Sequence, residues 1–154
     1  MEKLTVIIPC FNEIKTISAI INQILDLDTI EKQIIVVDDK STDGSIAIIK
    51  EYKSQNKIDA IFHNSNLGKG ACIISAQKLI KGSVVIIQDA DLEYNPQDIP
   101  KLIKPILNKD YLAVYGSRVL KKKYFENLRN FSHWIRILGN LILTYISNII
   151  NKQN

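Results

Sequence analysis

The chain has 154 residues, enough for one domain with a hydrophobic core, and its 46% hydrophobic and 23% charged residues are typical of a globular protein. A formal net charge of +4 permits a phosphate-bearing ligand or an anionic membrane surface but requires neither, and we predict no nucleic-acid partner. No segment has the roughly 20 uninterrupted apolar residues of a membrane span, and the amino terminus lacks a signal-peptide pattern. Cys10 and Cys72 lie in apolar contexts without metal-ligand spacing, which predicts small core residues of a cytoplasmic protein.

Strands and helices are predicted to alternate along the chain. Apolar runs predict strands at 4–8, 34–37, 58–62, 83–87 and 111–115. Helical spacing of apolar residues predicts helices at 16–27, 45–53, 71–80 and from about 97. We expect Pro9 to end the first strand and Pro105 to kink or end the last helix. This alternation is typical of an α/β protein with a parallel sheet.

Two predicted helix starts and one predicted strand carry specific expectations. Thr42 or Asp43 is expected to cap the second helix, and Asn95 is expected to cap the last helix, with Pro96 in its first position. The strand at 83–87 is a continuous apolar run, which is typical of a strand covered on both faces.

Acidic or polar side chains follow three of the predicted strands. They form the pairs Asn12-Glu13, Asp38-Asp39 and Asp89-x-Asp91. Parallel strands place these ends along one edge, where ligands bind in open α/β sheets, so we expect a metal and nucleotide site there. Asp89 and Asp91 offer oxygen ligands that suit Mg²⁺ or Mn²⁺. The alternative is that each carboxylate is solvated or caps a turn.

Familiar phosphate-binding motifs are absent from the sequence. No Gly-x-Gly-x-x-Gly follows the first strand, and Gly68-Lys69-Gly70 lacks the spacing of a P-loop, which disfavours a dinucleotide enzyme or an NTPase. Gly68 and Gly70 would still allow close backbone approach, and Lys69 could face a phosphate. The other interpretation of this segment is a cap for the following helix, and both stay open.

Five segments in this order and spacing, 6–13, 35–44, 66–70, 88–94 and 116–118, resemble the family-2 glycosyltransferases. The similarity is to the dolichyl- or polyprenyl-phosphate sugar transferases of that family. It implies a GT-A fold, a Rossmann-like sandwich with a mostly parallel central sheet flanked by helices. It also implies an inverting, metal-dependent transfer of sugar from a nucleotide diphosphate to a polyprenyl phosphate.

The resemblance implies roles for the nucleoside side of the site. Pro9, Phe11 and Glu13 would line the nucleoside pocket. Val37 and Asp39 would hold the base and ribose of a UDP- or GDP-sugar.

The resemblance also implies roles for the diphosphate side. Asp89, Ala90 and Asp91 would meet the diphosphate and the Mg²⁺ or Mn²⁺ ion, with Asp89 and Asp91 as metal ligands. Glu93 stands where some members place another polar ligand, and Arg118 would approach the diphosphate or sugar. Asp89, Asp91 and Arg118 are therefore the expected catalytic residues, and a bound cation would neutralise the leaving diphosphate.

The proposed acceptor is compatible with the absence of an obvious catalytic base. A phosphate acceptor is already ionised near neutral pH, and His63 and His133 are interpreted as structural or surface residues. Two alternatives are a transferase acting on a glycan or protein hydroxyl and an inactive nucleotide-sugar-binding fragment. A sugar-nucleotide pyrophosphorylase is disfavoured because no glycine-rich loop follows the first strand.

The sequence divides into a nucleotide-sugar-binding core at 1–120 and a basic linker with an amphipathic helix at 121–154. Basic residues beside an apolar stripe predict peripheral contact with the cytoplasmic face of a membrane, which suits a lipid-phosphate acceptor. The alternatives are packing on a domain that is partly absent and an oligomer formed through this helix. The family's catalytic domain continues further, so we expect a truncated acceptor side.

Overall fold

The computed structural model describes residues 3–27 and 31–116, and the residues up to Tyr115 form one compact unit. The predictions for Arg118 and for 121–154 lie outside the described residues. The elements follow in chain order: β1 (Leu4–Cys10), α1 (Ile17–Leu25), β2 (Lys32–Asp38), α2 (Ser45–Ser54), β3 (Asp59–Phe62), α3 (Lys69–Ala76), β4 (Val84–Ile87) and α4 (Ile99–Leu107). Short 3₁₀ turns follow α3 at Gln77–Leu79 and precede α4 at Pro96–Asp98.

The four strands form a parallel sheet in the order β3-β2-β1-β4, as predicted for an α/β protein. β1 and β2 pair over seven positions, from Leu4 opposite Lys32 to Cys10 opposite Asp38. Both strands are almost entirely buried, which is why their apolar runs are nearly continuous rather than alternating.

Helices cover both faces of the sheet. The predicted apolar stripe of α1 is confirmed, because its four isoleucines at 17, 20, 21 and 24 are fully buried. They pack with Ile49 of α2 and with Ile99 and Ile103 of α4 against one face. On the other face, Ile7, Ile35 and Val37 pack against Cys72 and Ala76 of α3. The layers therefore form the predicted sandwich.

Pro9 does not end β1, which is a correction to the prediction. The Ile7 carbonyl accepts a hydrogen bond from Gln88 N–H, so the backbone of Ile7 faces β4. Residues two apart along a strand face the same neighbour, so the nitrogen of Pro9 also faces that side. Because β4 ends at Ile87, opposite Ile7, no ladder hydrogen bond is lost at Pro9.

β4 is not covered on both faces by the part of the chain that the structure describes. It lies at the edge of the described sheet, and Val85 and Ile87 are 43% and 45% exposed. Val84, on the opposite face, is buried. A continuous apolar run shows only that both faces of a strand could be buried. In β4, the face that carries Val85 and Ile87 has no described element packed over it.

Two other predictions near the end of the described chain are wrong: a strand at 111–115 and an early end of the last helix at Pro105. The segment 111–115 forms no strand, and its side chains at Tyr111, Leu112 and Tyr115 are well exposed, without a partner strand among the described residues. α4 runs through Pro105 to Leu107. The Pro105 carbonyl accepts from Asp110 N–H, so the backbone turns back soon after the proline. The cap predicted at Asn95 is confirmed for the 3₁₀ turn that leads into α4, since the Asn95 side chain accepts from Gln97 N–H at 3.0 Å; the cap position of α4 itself is Asp98.

A buried polar network joins the strands at the amino end of the sheet. The Gln33 side chain accepts from Thr5 Oγ1 and Lys81 N–H and donates to Asp59 and the Leu79 carbonyl. Gly82 N–H donates to Thr5 Oγ1 at 2.9 Å. This network sets the position at which the chain enters β4, and β4 leads directly into Asp89 and Asp91.

Among the described residues, no helix combines the length and the apolar character needed to cross a bilayer.

Candidate functional site

An open cleft of about 270 Å³ lies at the carboxyl edge of the sheet. Eight of the predicted site residues line it: Pro9, Phe11, Glu13, Asp39, Lys69, Asp89, Ala90 and Asp91. Cys10 and Cys72 also line it. The acidic residues that follow β1, β2 and β4 therefore converge on one cleft, as the parallel sheet predicts.

The loops after β1 and β2 are held together by side chains of the second loop. Asn12 N–H donates to Ser41 Oγ, Glu13 N–H to Ser45 Oγ and Ile14 N–H to Asp43 Oδ2, each at 2.9 Å. In return, Thr42 N–H donates to Asn12 Oδ1 at 2.8 Å. These contacts fix the strand ends that carry Phe11, Glu13 and Asp39.

Asp43 acts within this loop rather than as the residue in the helix cap position. Gly44 occupies that position with φ +103°, and an added Cβ would lie 2.9 Å from Ile14 Cδ1. Asp43 Oδ1 accepts from Ser45 N–H. Burial opposes ionisation of Asp43, but hydrogen bonds from Ser45 and Ile14 outweigh it and lower the pKa of this carboxyl. The ionised Asp43 side chain thus links the two loops through hydrogen bonds.

Asp39 organises the loop that leads from β3 to α3. Its Oδ1 lies 2.7 Å from His63 Nδ1 and accepts from Leu67 N–H at 2.9 Å, while Oδ2 accepts from Gly68 N–H at 2.7 Å. Burial works against the charge, but the hydrogen bonds from Leu67, His63 and Gly68 prevail and lower the pKa of Asp39. Asp39 is therefore a nearly buried anion at the wall of the cleft.

The two carboxylates after β4 have different partners. Asp89 Oδ1 lies 2.5 Å from Lys69 Nζ, and this pair spans from the end of β4 to the start of α3. Asp91 Oδ1 accepts from Glu93 N–H at 3.0 Å. Between them and the next helix, Leu92 adopts φ +63°, a conformation that is costly for a leucine.

The donor set of Asp89 and Asp91 fits a hard divalent cation. Both are oxygen ligands, the side chain of Asp89 is about a quarter exposed and Asp91 is exposed, so a cation could keep water and substrate ligands. A second group, Asp39, His63 and Cys72, has its ligand atoms within 4.8 Å of one another. There the Asp39–His63 pair is already satisfied by direct hydrogen bonding, and a buried thiol is a softer ligand than magnesium prefers.

Two predicted site residues do not line the cleft. Val37 is fully buried beneath the cleft, packed with Ile7 and Cys72, and does not line the cleft. Glu93 is exposed and lies outside the lining. Arg118 is outside the described residues.

Sequence reasoning missed the part played by His63 and Cys72. Of the two roles that the sequence suggests for His63, structural or surface, the structure supports the structural one, because the His63 side chain is only 7% exposed and contacts Asp39 directly. One available signal was its position: His63 follows β3 immediately, as Asp39 follows β2, so both stand at the carboxyl edge. Cys72 reaches the cleft because α3 begins at the same edge.

Residues 5–152 match the model of the family described as glycosyl transferase family 2. The chain is 32% identical over 160 residues to a UDP-N-acetylglucosamine–dolichyl-phosphate N-acetylglucosaminyltransferase of Methanococcus voltae, which covers 94% of this chain and 61% of that protein. It is 34% identical over 126 residues to a dolichol-phosphate mannosyltransferase of Pyrococcus furiosus, covering 81% and 36% respectively. The chain thus spans about a third to three fifths of the length of these relatives.

Solved structures with the same fold contain nucleotides. S. aureus TarS in complex with UDP-GlcNAc matches with a TM-score of 0.56 and 29% identity, over 66% of this chain and 31% of that chain. The mannosyltransferase of Pyrobaculum calidifontis in complex with GDP-Man and Mn²⁺ matches with a TM-score of 0.54 and 26% identity, over 58% and 28%. Glucosyl-3-phosphoglycerate synthase of Mycobacterium tuberculosis with Mn²⁺ and UDP matches with a TM-score of 0.55 and 26% identity, over 69% and 40%.

Proposed function

Because this chain belongs to glycosyl transferase family 2, we propose that its cleft binds a nucleotide-diphosphate sugar and that the sugar is transferred to a polyprenyl phosphate. The GT-A fold expected from the sequence is confirmed by the parallel sheet and by the structural neighbours. The observation that carries the proposal is the cleft itself, where residues from three strand ends and from α3 line one 270 Å³ space.

The cleft divides into an apolar side and a charged side. Pro9 and Phe11 offer an apolar surface, and Phe11 is 47% exposed, which leaves its ring available to a nucleoside. Asp89, Asp91 and Lys69 line the charged side. This division matches a donor that carries a flat base at one end and a diphosphate at the other.

A divalent cation is needed if the diphosphate is to lie against Asp89 and Asp91, because like charges repel at short range. Asp91 keeps its second oxygen for such an ion, since Oδ1 accepts from Glu93 N–H. A bound Mg²⁺ or Mn²⁺ would neutralise the charge that develops on the leaving diphosphate. Lys69 brings a further positive charge to the same place, where it now neutralises Asp89.

The acceptor half of the proposal draws on the relatives from M. voltae and P. furiosus, which are named for dolichyl-phosphate acceptors. A phosphate oxygen near neutral pH needs no base to remove a proton, so the described residues have to supply only orientation and charge. Peripheral membrane contact and the role of Arg118 belong to this proposal. A glycan or protein hydroxyl acceptor is the rival outcome.

The donor site is tested by calorimetric titration of the chain with UDP- and GDP-sugars, with and without MnCl₂. We expect metal-dependent binding of one nucleotide and loss of that binding in Asp91→Ala. Asp98→Ala is the matched control, because it also removes an exposed carboxylate, but from outside the cleft. Equal binding by Asp91→Ala and the unmodified chain would overturn the metal assignment, and no binding to a folded chain would overturn the donor site.

The acceptor is tested by release of the nucleoside diphosphate in detergent micelles that contain undecaprenyl phosphate. We expect release with the lipid phosphate and none with the corresponding lipid alcohol. Release with a glycan but not with the lipid phosphate would replace the proposed acceptor by a hydroxyl. Metal-dependent donor binding without release on any acceptor would leave a nucleotide-sugar-binding protein.

A further inference from the structure

We propose that His63 is a positioning residue, which holds the Asp39 carboxylate in the orientation that receives the nucleoside. The inference rests on the proposed function, since it concerns the nucleoside side of the same cleft. It goes beyond that function by assigning a role to a side chain that itself does not line the cleft.

The His63 ring lies between two elements of the fold. Nδ1 is 2.7 Å from Asp39 Oδ1, after β2, and Nε2 is 2.9 Å from Ser75 Oγ, in α3. The His63 backbone N–H donates to the Asp38 carbonyl at 2.9 Å. With its side chain 7% exposed, the ring has one orientation in which both nitrogens are satisfied.

These partners decide the tautomer of a neutral His63. A carboxylate only accepts hydrogen bonds, so Nδ1 carries the hydrogen that points at Asp39. Nε2 then accepts from the Ser75 hydroxyl. The three side chains form a chain of hydrogen bonds from α3 to the wall of the cleft.

The hydrogen bonds leave Asp39 with one acceptor position for a ligand. A carboxylate offers about four lone-pair positions. His63 and Leu67 N–H occupy those of Oδ1, and Gly68 N–H occupies one of Oδ2. The remaining position is on Oδ2, and Asp39 lines the cleft, so a nucleoside N–H or O–H has one place to donate.

Of the three partners of the Asp39 carboxylate, His63 is the one that uses its side chain, so this contact can be removed by mutation. Without it, Oδ1 and Oδ2 keep one backbone partner each, Leu67 N–H and Gly68 N–H, and the carboxylate is held less tightly about χ2, which is a broad torsion for aspartate. The free position on Oδ2 would then no longer face the ligand consistently. Loss of an orienting partner behind a metal ligand typically costs roughly 10- to 100-fold in affinity, and we expect a loss of that order here.

The test compares nucleotide binding with pyrophosphate binding, both in the presence of MnCl₂. In His63→Ala we expect the affinity for the bound nucleoside diphosphate to fall roughly 10- to 100-fold. The affinity for inorganic pyrophosphate should stay within about twofold, because that probe does not reach Asp39. An equal loss of both would indicate collapse of the cleft and would overturn a positioning role, as would unchanged nucleotide binding.

Two conservative variants sharpen the result. The amide nitrogen of His63→Asn lies near the place of Nδ1 and can donate to Asp39, whereas that of His63→Gln lies near the place of Nε2. We expect most of the nucleotide affinity to return in His63→Asn and little of it in His63→Gln. The reverse order would mean that the contact with Ser75, rather than with Asp39, matters, and would overturn the proposal.

A measurement without ligand separates this inference from the proposed function. In ¹⁵N-edited NMR spectra at pH 8, neutral His63 should carry its proton on Nδ1 and not on Nε2. The opposite tautomer would overturn the role of His63 even if nucleotides bind. Absence of nucleotide binding by the unmodified chain would overturn the proposed function, and with it the nucleoside role, whatever the tautomer.

Discussion

The two ends of the same parallel sheet use polar side chains in opposite ways. At the amino end, all four hydrogen-bonding positions of the Gln33 amide are occupied by protein groups. At the carboxyl end, Asp39 keeps one acceptor position, and Asp38 Oδ1 is buried without a hydrogen-bond partner among the described residues. Asp89 and Asp91 face the open cleft.

The polar groups at the amino end of the sheet therefore serve stability, whereas those at the carboxyl end are available for function. A closed polar network has nothing left to offer a ligand, so changes at Gln33, Thr5 or Gly82 should act on folding. Open positions at the carboxyl end cost stability but are available for binding.

The largest effect is expected at Gly82, at the amino end. A Cβ there would lie 2.4 Å from the Lys3 carbonyl oxygen and 2.7 Å from Thr5 N, and neither backbone atom can move without breaking the sheet. Gly82→Ala should lower the free energy of unfolding by about 3 kcal/mol or more, measured by urea denaturation.

Gly70→Ala is the matched control for that experiment. Nothing lies within 4 Å of an added Cβ at Gly70, which is in α3. The substitution should raise stability by roughly 0.5–1 kcal/mol, because alanine has the higher helix propensity. Similar stabilities for Gly82→Ala and Gly70→Ala would remove the distinction between the two ends. Loss of nucleotide binding in a stable Gly70→Ala would support close phosphate approach at that residue.

Gln33→Leu should have the next largest effect. It leaves Thr5 Oγ1, Lys81 N–H and the Leu79 carbonyl without their side-chain partner, in a site where Gln33 is 8% exposed. We expect a loss of about 2–4 kcal/mol in chemical denaturation, with the nucleotide affinity of the folded fraction unchanged. Gln55→Leu, at an exposed position, should stay within about 0.5 kcal/mol. A selective loss of nucleotide affinity in Gln33→Leu would contradict the division.

The periodicity of apolar residues in the sequence predicted most of the helices and strands that form the two ends of the sheet. The isoleucines of α1 recur at helical spacing and are all buried, and the apolar runs of β1 and β2 became paired strands. The edge to which Asp39, Asp89 and Asp91 belong followed from parallel topology alone, because that topology places all strand ends of one kind together.

The failures concern contacts between residues distant in sequence. The segment 111–115 has a strand-like pattern but no neighbour to pair with among the described residues. Ser41 and Asp43 accept hydrogen bonds from the loop after β1, and His63 contacts Asp39, which is 24 positions earlier. Neither kind of contact leaves a local pattern in the sequence. Tertiary packing decided these cases, as it also decided which face of β4 is buried.

Asp39→Asn tests the carboxyl end through pH. Because the pKa of Asp39 in the folded protein is lowered from 3.8, the unfolded chain takes up the proton first as the pH falls. The stability that Asp39 contributes is therefore complete above about pH 5 and is lost as the pH falls below its unfolded value. Asp39→Asn should cost about 1–3 kcal/mol at pH 7 and reduce the slope of stability against pH below 5. An unchanged slope in urea titrations would contradict the charge-dependent contacts.

The smallest effect is expected at the two thiols beside the cleft. Burial raises the pKa of Cys10 to about 12, aided by Asp38, and burial raises the pKa of Cys72 to about 11, aided by Asp39 and Asp38. Only the thiolate reacts with a disulfide reagent, so both should react slowly at pH 8 in the folded protein, with Cys72 faster than Cys10.

Rates measured in Cys10→Ser and Cys72→Ser assign each thiol, and urea should make both react like free cysteine. Since Cys72 packs behind Val37 and lines the cleft near Asp39, a bound nucleotide should slow it further, while a small molecule bound elsewhere should not. Faster reaction of Cys10 than of Cys72 would contradict the predicted order and would mean that the thiol at the end of β1 is the more accessible one in the folded protein.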